Sequence, residues 1–153
     1  MPRVPVGVEV LLVNFLLHPK IFSSLRDFKR TIYNTVRYWK PLFFENSKIP
    51  VWLSKISPIN IGAFSFAFFV WGRGELSDRT KRHETIHYQQ QLELLFVFQW
   101  LLYGIFWLWG YWKLRDGKKA YYRCPFEQEA YENQHDINYF EFRKRYSWLK
   151  YKI

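Results

Sequence analysis

Sulfur is almost missing from this chain. With a single cysteine, Cys124, in 153 residues, no intramolecular disulfide can form and nothing argues for an oxidising compartment. Acidic residues are also scarce, 13 against 23 lysines and arginines, which leaves a net charge of +10. That balance points to anionic lipid, nucleic acid or an acidic partner. No small-residue cleavage site follows the apolar run Val10 to Leu17, so Met1 to Leu17 reads as an N-terminal strand or surface-docking segment rather than a signal peptide. Charge is absent across residues 94–112, close to the length that spans a bilayer as a helix. The length itself suits one domain with a modest core, not two.

What is abundant is aromatic. Phe, Tyr and Trp make up 22% of the chain, with eight Trp, an excess that suggests a membrane interface or a ligand-rich surface.

The chemistry concentrates at His83-Glu84-Thr85-Ile86-His87, which reads H-E-x-x-H. On a helix the two imidazoles sit one turn apart on one face, near enough to grip a single zinc ion. Glu84 then lies towards the open side of the metal, where a carboxylate can take a proton from zinc-activated water. The helix itself is well signalled. Ser77 is placed as an N-cap, Asp78 suits the positive end of the helix dipole, and no Gly or Pro follows until Gly104. If the helix runs on into the uncharged stretch, one rod of about 35 residues would extend on the order of 50 Å.

A third ligand has to come from elsewhere. In Cys124-Pro125-Phe126-Glu127-Gln128-Glu129-Ala130, Pro125 suits a helix first turn, and Glu127, with Glu129 as the alternative, can complete a His-His-Glu site. Ala130 is small enough for this helix to lie close to the first.

H-E-x-x-H followed by E-x-x-A resembles the gluzincin branch of the zincin metallopeptidases, including the CAAX-prenyl endopeptidase group. What that resemblance implies is two ligands in His83 and His87, a general base in Glu84 and a third ligand in Glu127. Tyr131 stands where that group has an aspartate, the carboxylate that would orient a histidine. A closer likeness, from about Ile56 to the C-terminus, is to a group of small, mostly uncharacterised bacterial and phage proteins with an H-E-x-I-H-x-x-Q-Q-L-E-L-L core and F-E-x-E-A-Y-x-N. Those segments are His83 to Leu95 and Phe126 to Asn133 here. The likeness implies a zinc peptidase without bringing a substrate.

The remaining segments frame that site. Residues 1–58 read as an N-terminal extension whose stretch Lys20 to Lys40 is a basic amphipathic helix, and 59–153 as a zincin-like core within a single domain. Pro41 to Pro58 reads as loop-rich, and Ile59 to Trp71 as a strand or strand pair, with Phe64 to Val70 as the edge beside the metal helix that can bind an extended substrate. The crowded Trp and Tyr of the 94–112 segment and the following Lys113, Arg115, Lys118 and Lys119 are membrane-contact signals with a cytoplasmic-side flank. From Asp136 to Ile153, basic and aromatic residues alternate as in an amphipathic helix that covers the core and snorkels its charges, or in a nucleic-acid clamp.

The expectation is therefore a mostly α, α+β fold: a metal helix, a second ligand helix, a small edge strand or sheet, and an apolar membrane-contacting helix. Its function is zinc-dependent hydrolysis of a peptide or protein at a membrane, with the site on the cytoplasmic side; a soluble cytoplasmic protein is the alternative location. Tyr121, Tyr122, Arg123 and His135 are the candidate oxyanion donors. The rival function is a non-catalytic membrane-associated interaction protein with a structural or vestigial metal site, closed by Cys124, Glu129 or His135 as fourth ligand.

Overall fold

In the computed structural model, which describes residues 40–153, Ser77 caps the helix that the sequence expects there. Its backbone is extended and its Oγ accepts from the Thr80 N–H at 3.2 Å, with Asp78 in the first turn. This helix, α2, runs Asp78–Glu93, and residues 83–91 are all buried. A helix buried on every side with His, Glu and Gln among its residues must pair those groups internally. The rest of the fold supplies the partners.

The described residues from Pro41 to Ile153 form one compact unit. Before α2 come β1 (Leu42–Phe44), α1 (Ile49–Leu53), β2 (Ala63–Phe66) and β3 (Phe69–Gly72); after it come α3 (Val97–Leu114), α4 (Gly117–Tyr122), α5 (Pro125–Asn133), α6 (Tyr139–Phe142) and a 3-10 turn at Ser147–Lys150. The unit is mostly helical with a small three-stranded sheet, which agrees with the α+β expectation. The sheet order is β1-β3-β2. β2 and β3 form the expected strand pair, antiparallel with Ser65 opposite Val70; the edge expected over Phe64 to Val70 is instead divided by a turn at Ala67 and Phe68, where Ala67 has positive φ, so of the two only β2 is an edge and β3 is central. Pro41 to Pro58 is not simply loop: β1 pairs in parallel with β3, and Pro50 sits in the first turn of α1, where its missing N–H costs nothing. The amphipathic helix expected from Lys20 to Lys40 and the N-terminal apolar run lie outside the described residues but for Lys40 itself.

The continuous rod does not form. α2 stops at Glu93, and α3 leaves at an angle of 109°. The break is made by Leu95 and Phe96, both with positive φ, and Val97 N–H donates to Leu95 O across a γ-turn centred on Phe96 (φ 61°, ψ −62°). Two bulky residues held in this region are strained. The return is placement, because the turn folds α3 back over the domain. Trp100 then packs on Phe64 at 5.3 Å between ring centroids, and Tyr103 and Phe106 reach the core around Phe126 and Trp148. Gly110 allows the close approach of α3 to α4, since a Cβ there would meet Ala120 at 3.3 Å. Among the described residues no single helix is long and apolar enough to cross a membrane.

The tail differs from expectation as well. Instead of one amphipathic helix, α6 and the 3-10 turn carry Trp148 into the core, and Arg143 is buried rather than snorkelling.

Candidate metal centre

Helical spacing brings His83 and His87 to one face of α2, with the ring Nε2 atoms 3.1 Å apart. α5 brings Glu127 to meet them: its carboxylate oxygens lie 3.5 Å from His83 Nε2 and 3.3 Å from His87 Nε2. Glu127 sits in the first turn of α5, where the unsatisfied N–H groups favour negative charge. Ala130 is fully buried as the two helices pack together. All three ligands are buried, and their ligand atoms converge as a group that could hold a metal ion. Tetrahedral bonds of about 2.0–2.1 Å hold ligand atoms about 3.3 Å apart, which is the spacing of this triangle. The residues therefore fit a small N/O-ligated cation.

The other candidate ligands are engaged elsewhere. Glu129, fully buried, turns away to accept Arg143 Nε at 2.7 Å, Tyr139 OH at 2.8 Å and Gln90 Nε2 at 3.0 Å. Cys124 packs with Phe126 and Trp148, and burial pushes its thiol up to about 12, so it stays protonated. His135 is exposed beyond the end of α5. Among the described residues the group has three members, His83, His87 and Glu127.

Two partners of the ligands were not legible in the sequence. Gln90 was visible only as a good helix former, yet its Oε1 lies 2.8 Å from His87 Nδ1 while its Nε2 donates to Glu129 and to the Phe126 carbonyl. A carboxylate thus orients His87 through an amide rather than directly. Tyr103, from the apolar helix, donates to Glu127 Oε1 at 3.1 Å. Tyr131, in place of an aspartate, packs its ring edge-on against His83 at 4.6 Å, and His83 Nδ1 has no hydrogen-bond partner among the described residues. The departure at Tyr131 has a local consequence: a ring edge lies against His83, whereas the Nδ1 side of His87 is fixed by Gln90.

Glu84 is nearly buried and walls two cavities. One, of about 410 Å3, is mostly apolar, lined by Leu53, Ile61, Phe64, Trp100 and Trp107 and reaching His87 and Glu127. The other is more polar, bounded by Arg79, His83, Tyr122 and Gln134. Ile61, Ala63, Glu84 and Tyr121 line both. β2, at the end of the sheet order, lies beside α2, with Gln91 spanning the two: its Nε2 donates to Ser65 O at 3.2 Å and its Oε1 accepts from Ala67 N–H at 2.7 Å.

Burial pushes the Glu84 carboxyl above its usual range, against the opposing pull of His83 and His87. Burial also acts to raise Glu127, but the two imidazoles outweigh it and hold this carboxyl well below the ordinary range. For His87 burial favours the neutral ring, yet the Glu127 charge and hydrogen bond prevail and lift it to about 9. The sign follows directly. A His87 that holds its proton to about pH 9 when folded, and to about 6.5 when unfolded, stabilises the metal-free fold below about pH 6.5 and loses that contribution as pH rises through 9. An ion held by this group would require the deprotonated ring, so its affinity would rise over the same window. Thermal melts of the protein in chelator should therefore decline from pH 6.5 to 9, while any stabilisation gained on adding a divalent metal ion should grow. A gain that shrinks with pH would contradict the assignment.

No family model, no curated protein and no solved structure matches this chain.

Proposed function

We propose that the protein is a zinc-dependent peptidase in which His83, His87 and Glu127 hold the ion and Glu84 is the general base. The observation that carries this reading is the donor set: two imidazoles and one carboxylate, buried together between two cavities that Glu84 walls, His87 and Glu127 at one and His83 at the other. The nitrogen and oxygen donors and their tetrahedral spacing favour zinc, and three protein ligands leave a corner for the reaction, as catalytic sites do and closed structural sites do not. Likeness to the gluzincin pattern supports the same roles.

When bound, the ion lowers the pKa of water and polarises the scissile carbonyl. Glu84 accepts the proton from the attacking water and passes it to the leaving amine, a double task suited to a carboxyl whose pKa is raised by burial. Of the candidate oxyanion donors, Tyr121 walls both cavities opposite the same space as Glu84, whereas Arg123 and His135 are exposed. An extended peptide fits along β2 near Ala63, with a large apolar side chain in the cavity beside Phe64 and Trp100. Gln99, buried at that cavity with an Oε1 unpartnered among the described residues, offers an acceptor for a peptide N–H.

Metal analysis after zinc loading and dialysis tests the ligand set. Glu127→Ala or His83→Ala is expected to lose more affinity than the roughly 10–100-fold typical of removing an outer partner. Stoichiometric, undiminished zinc in Glu127→Ala would remove the basis of the proposal.

A further inference from the structure

One face of α3 is left uncovered by the other described residues. Phe98, Leu101, Ile105, Leu108, Trp109 and Trp112 are each half or more exposed. At 100° per residue they fall within a stripe about 100° wide, and they run about 21 Å along the helix. Most other positions of the helix are committed, although Val97 and Tyr111, at the edge of the stripe, are exposed as well. Gln99 and Gly110 are buried against the domain and Phe106 packs on its core, while Trp100, Gly104 and Trp107 line the apolar cavity. Because the domain is packed along α3 from Gln99 to Gly110, the helix cannot be ringed by lipid as a span is. Only one side of it is free.

The end of the stripe is chemically marked. α3 carries a single charged residue, Lys113, and the segment 113–119 then adds Arg115, Lys118 and Lys119 against Asp116, four cations to one anion. These four basic side chains are exposed, and Trp109 and Trp112 occupy the last turns of α3 next to them. Indoles at the headgroup level, aliphatic side chains below and lysines around the rim are the features of a helix lying in a membrane interface. Apart from the indole N–H groups and the bordering Tyr111 hydroxyl, itself a group suited to a headgroup level, the exposed face offers no hydrogen-bonding side chain to a protein partner, whereas acyl chains require none. The basic rim is complementary to anionic headgroups.

We propose that α3 docks flat on an anionic lipid bilayer through this stripe, with the axis of the helix in the membrane plane and the apolar cavity on its flank. The stripe shares no residue with the metal ligands, so this surface stands or falls apart from the peptidase reading.

Co-sedimentation of the zinc-loaded full chain with vesicles tests it, using phosphatidylcholine alone and phosphatidylcholine mixed with phosphatidylserine. The chain is expected to partition onto the mixed vesicles with a blue shift of Trp emission, and to be released several-fold by high salt. Leu101→Asp combined with Leu108→Asp should weaken partitioning at least about tenfold, the loss of apolar anchoring, with unchanged circular dichroism and zinc content. Lys118→Glu with Lys119→Glu, on the exposed rim, should abolish the preference for phosphatidylserine without disturbing helix packing. Absence of binding to the mixed vesicles overturns the proposal. So does undiminished binding by the Asp variant, an unchanged lipid preference in the Glu variant, or a dimer in solution that the Asp variant dissociates in place of any lipid binding.

Discussion

Glu84→Gln is expected to retain stoichiometric zinc and to hydrolyse peptides about 10^2–10^4-fold more slowly than the unaltered chain, the usual worth of a positioned general base. Glutamine matches the shape of Glu84 and leaves His83, His87 and Glu127 in place, but it has no site for the proton. The separation of the two readouts is the point. Glu84 is not part of the ligand group, so a variant that loses metal would place it in the wrong role. A digest of mixed peptides followed by mass spectrometry measures turnover without assuming a substrate, and a Glu84→Gln protein as active as the parent contradicts the mechanism.

The second large effect is on stability. Arg143 lies in a buried cluster in which its guanidinium donates to Glu93 and to Glu129, and all three side chains are almost fully enclosed. Burial would favour the neutral guanidine, but the two carboxylates raise the Arg143 pKa still further and keep it charged. Arg143→Ala leaves two buried carboxylates without their cation, a loss of about 3–5 kcal/mol. Arg143→Lys restores charge but not the planar fork that reaches both partners, so it should recover only part of the loss. Because Glu129 also holds Gln90, which holds His87, zinc affinity should fall with stability. Urea denaturation of the two variants checks the first effect; a change below about 0.5 kcal/mol, as at an ordinary surface position, would contradict it.

How far these features could be seen in the sequence depends on how local their causes are. Ser77 and the four-residue spacing of His83 and His87 act within one helix, and both form as expected. Glu127 is readable because Pro125 starts a helix and Glu127 is the first carboxylate on it, with Glu129 the near alternative; that Glu129 faces the other way depends on Arg143, which is distant in the chain. Arg143 itself looks like part of a solvated basic tail, since nothing nearby in sequence supplies Glu93, 50 residues away. The bend at Leu95 and Phe96 has no Gly or Pro to announce it, because tertiary packing of α3 holds two ordinary residues in a strained turn. Likewise a three-residue strand such as Leu42–Phe44 is too short to show a period, and it forms because β3 offers an edge.

X-ray absorption at the zinc edge of the loaded protein tests the centre most directly. The account predicts a shell of nitrogen and oxygen at about 2.0–2.1 Å, with imidazole signatures from two histidines and room for a solvent ligand. Sulfur at about 2.3 Å, a third histidine, or zinc bound without His83, His87 and Glu127 would contradict it.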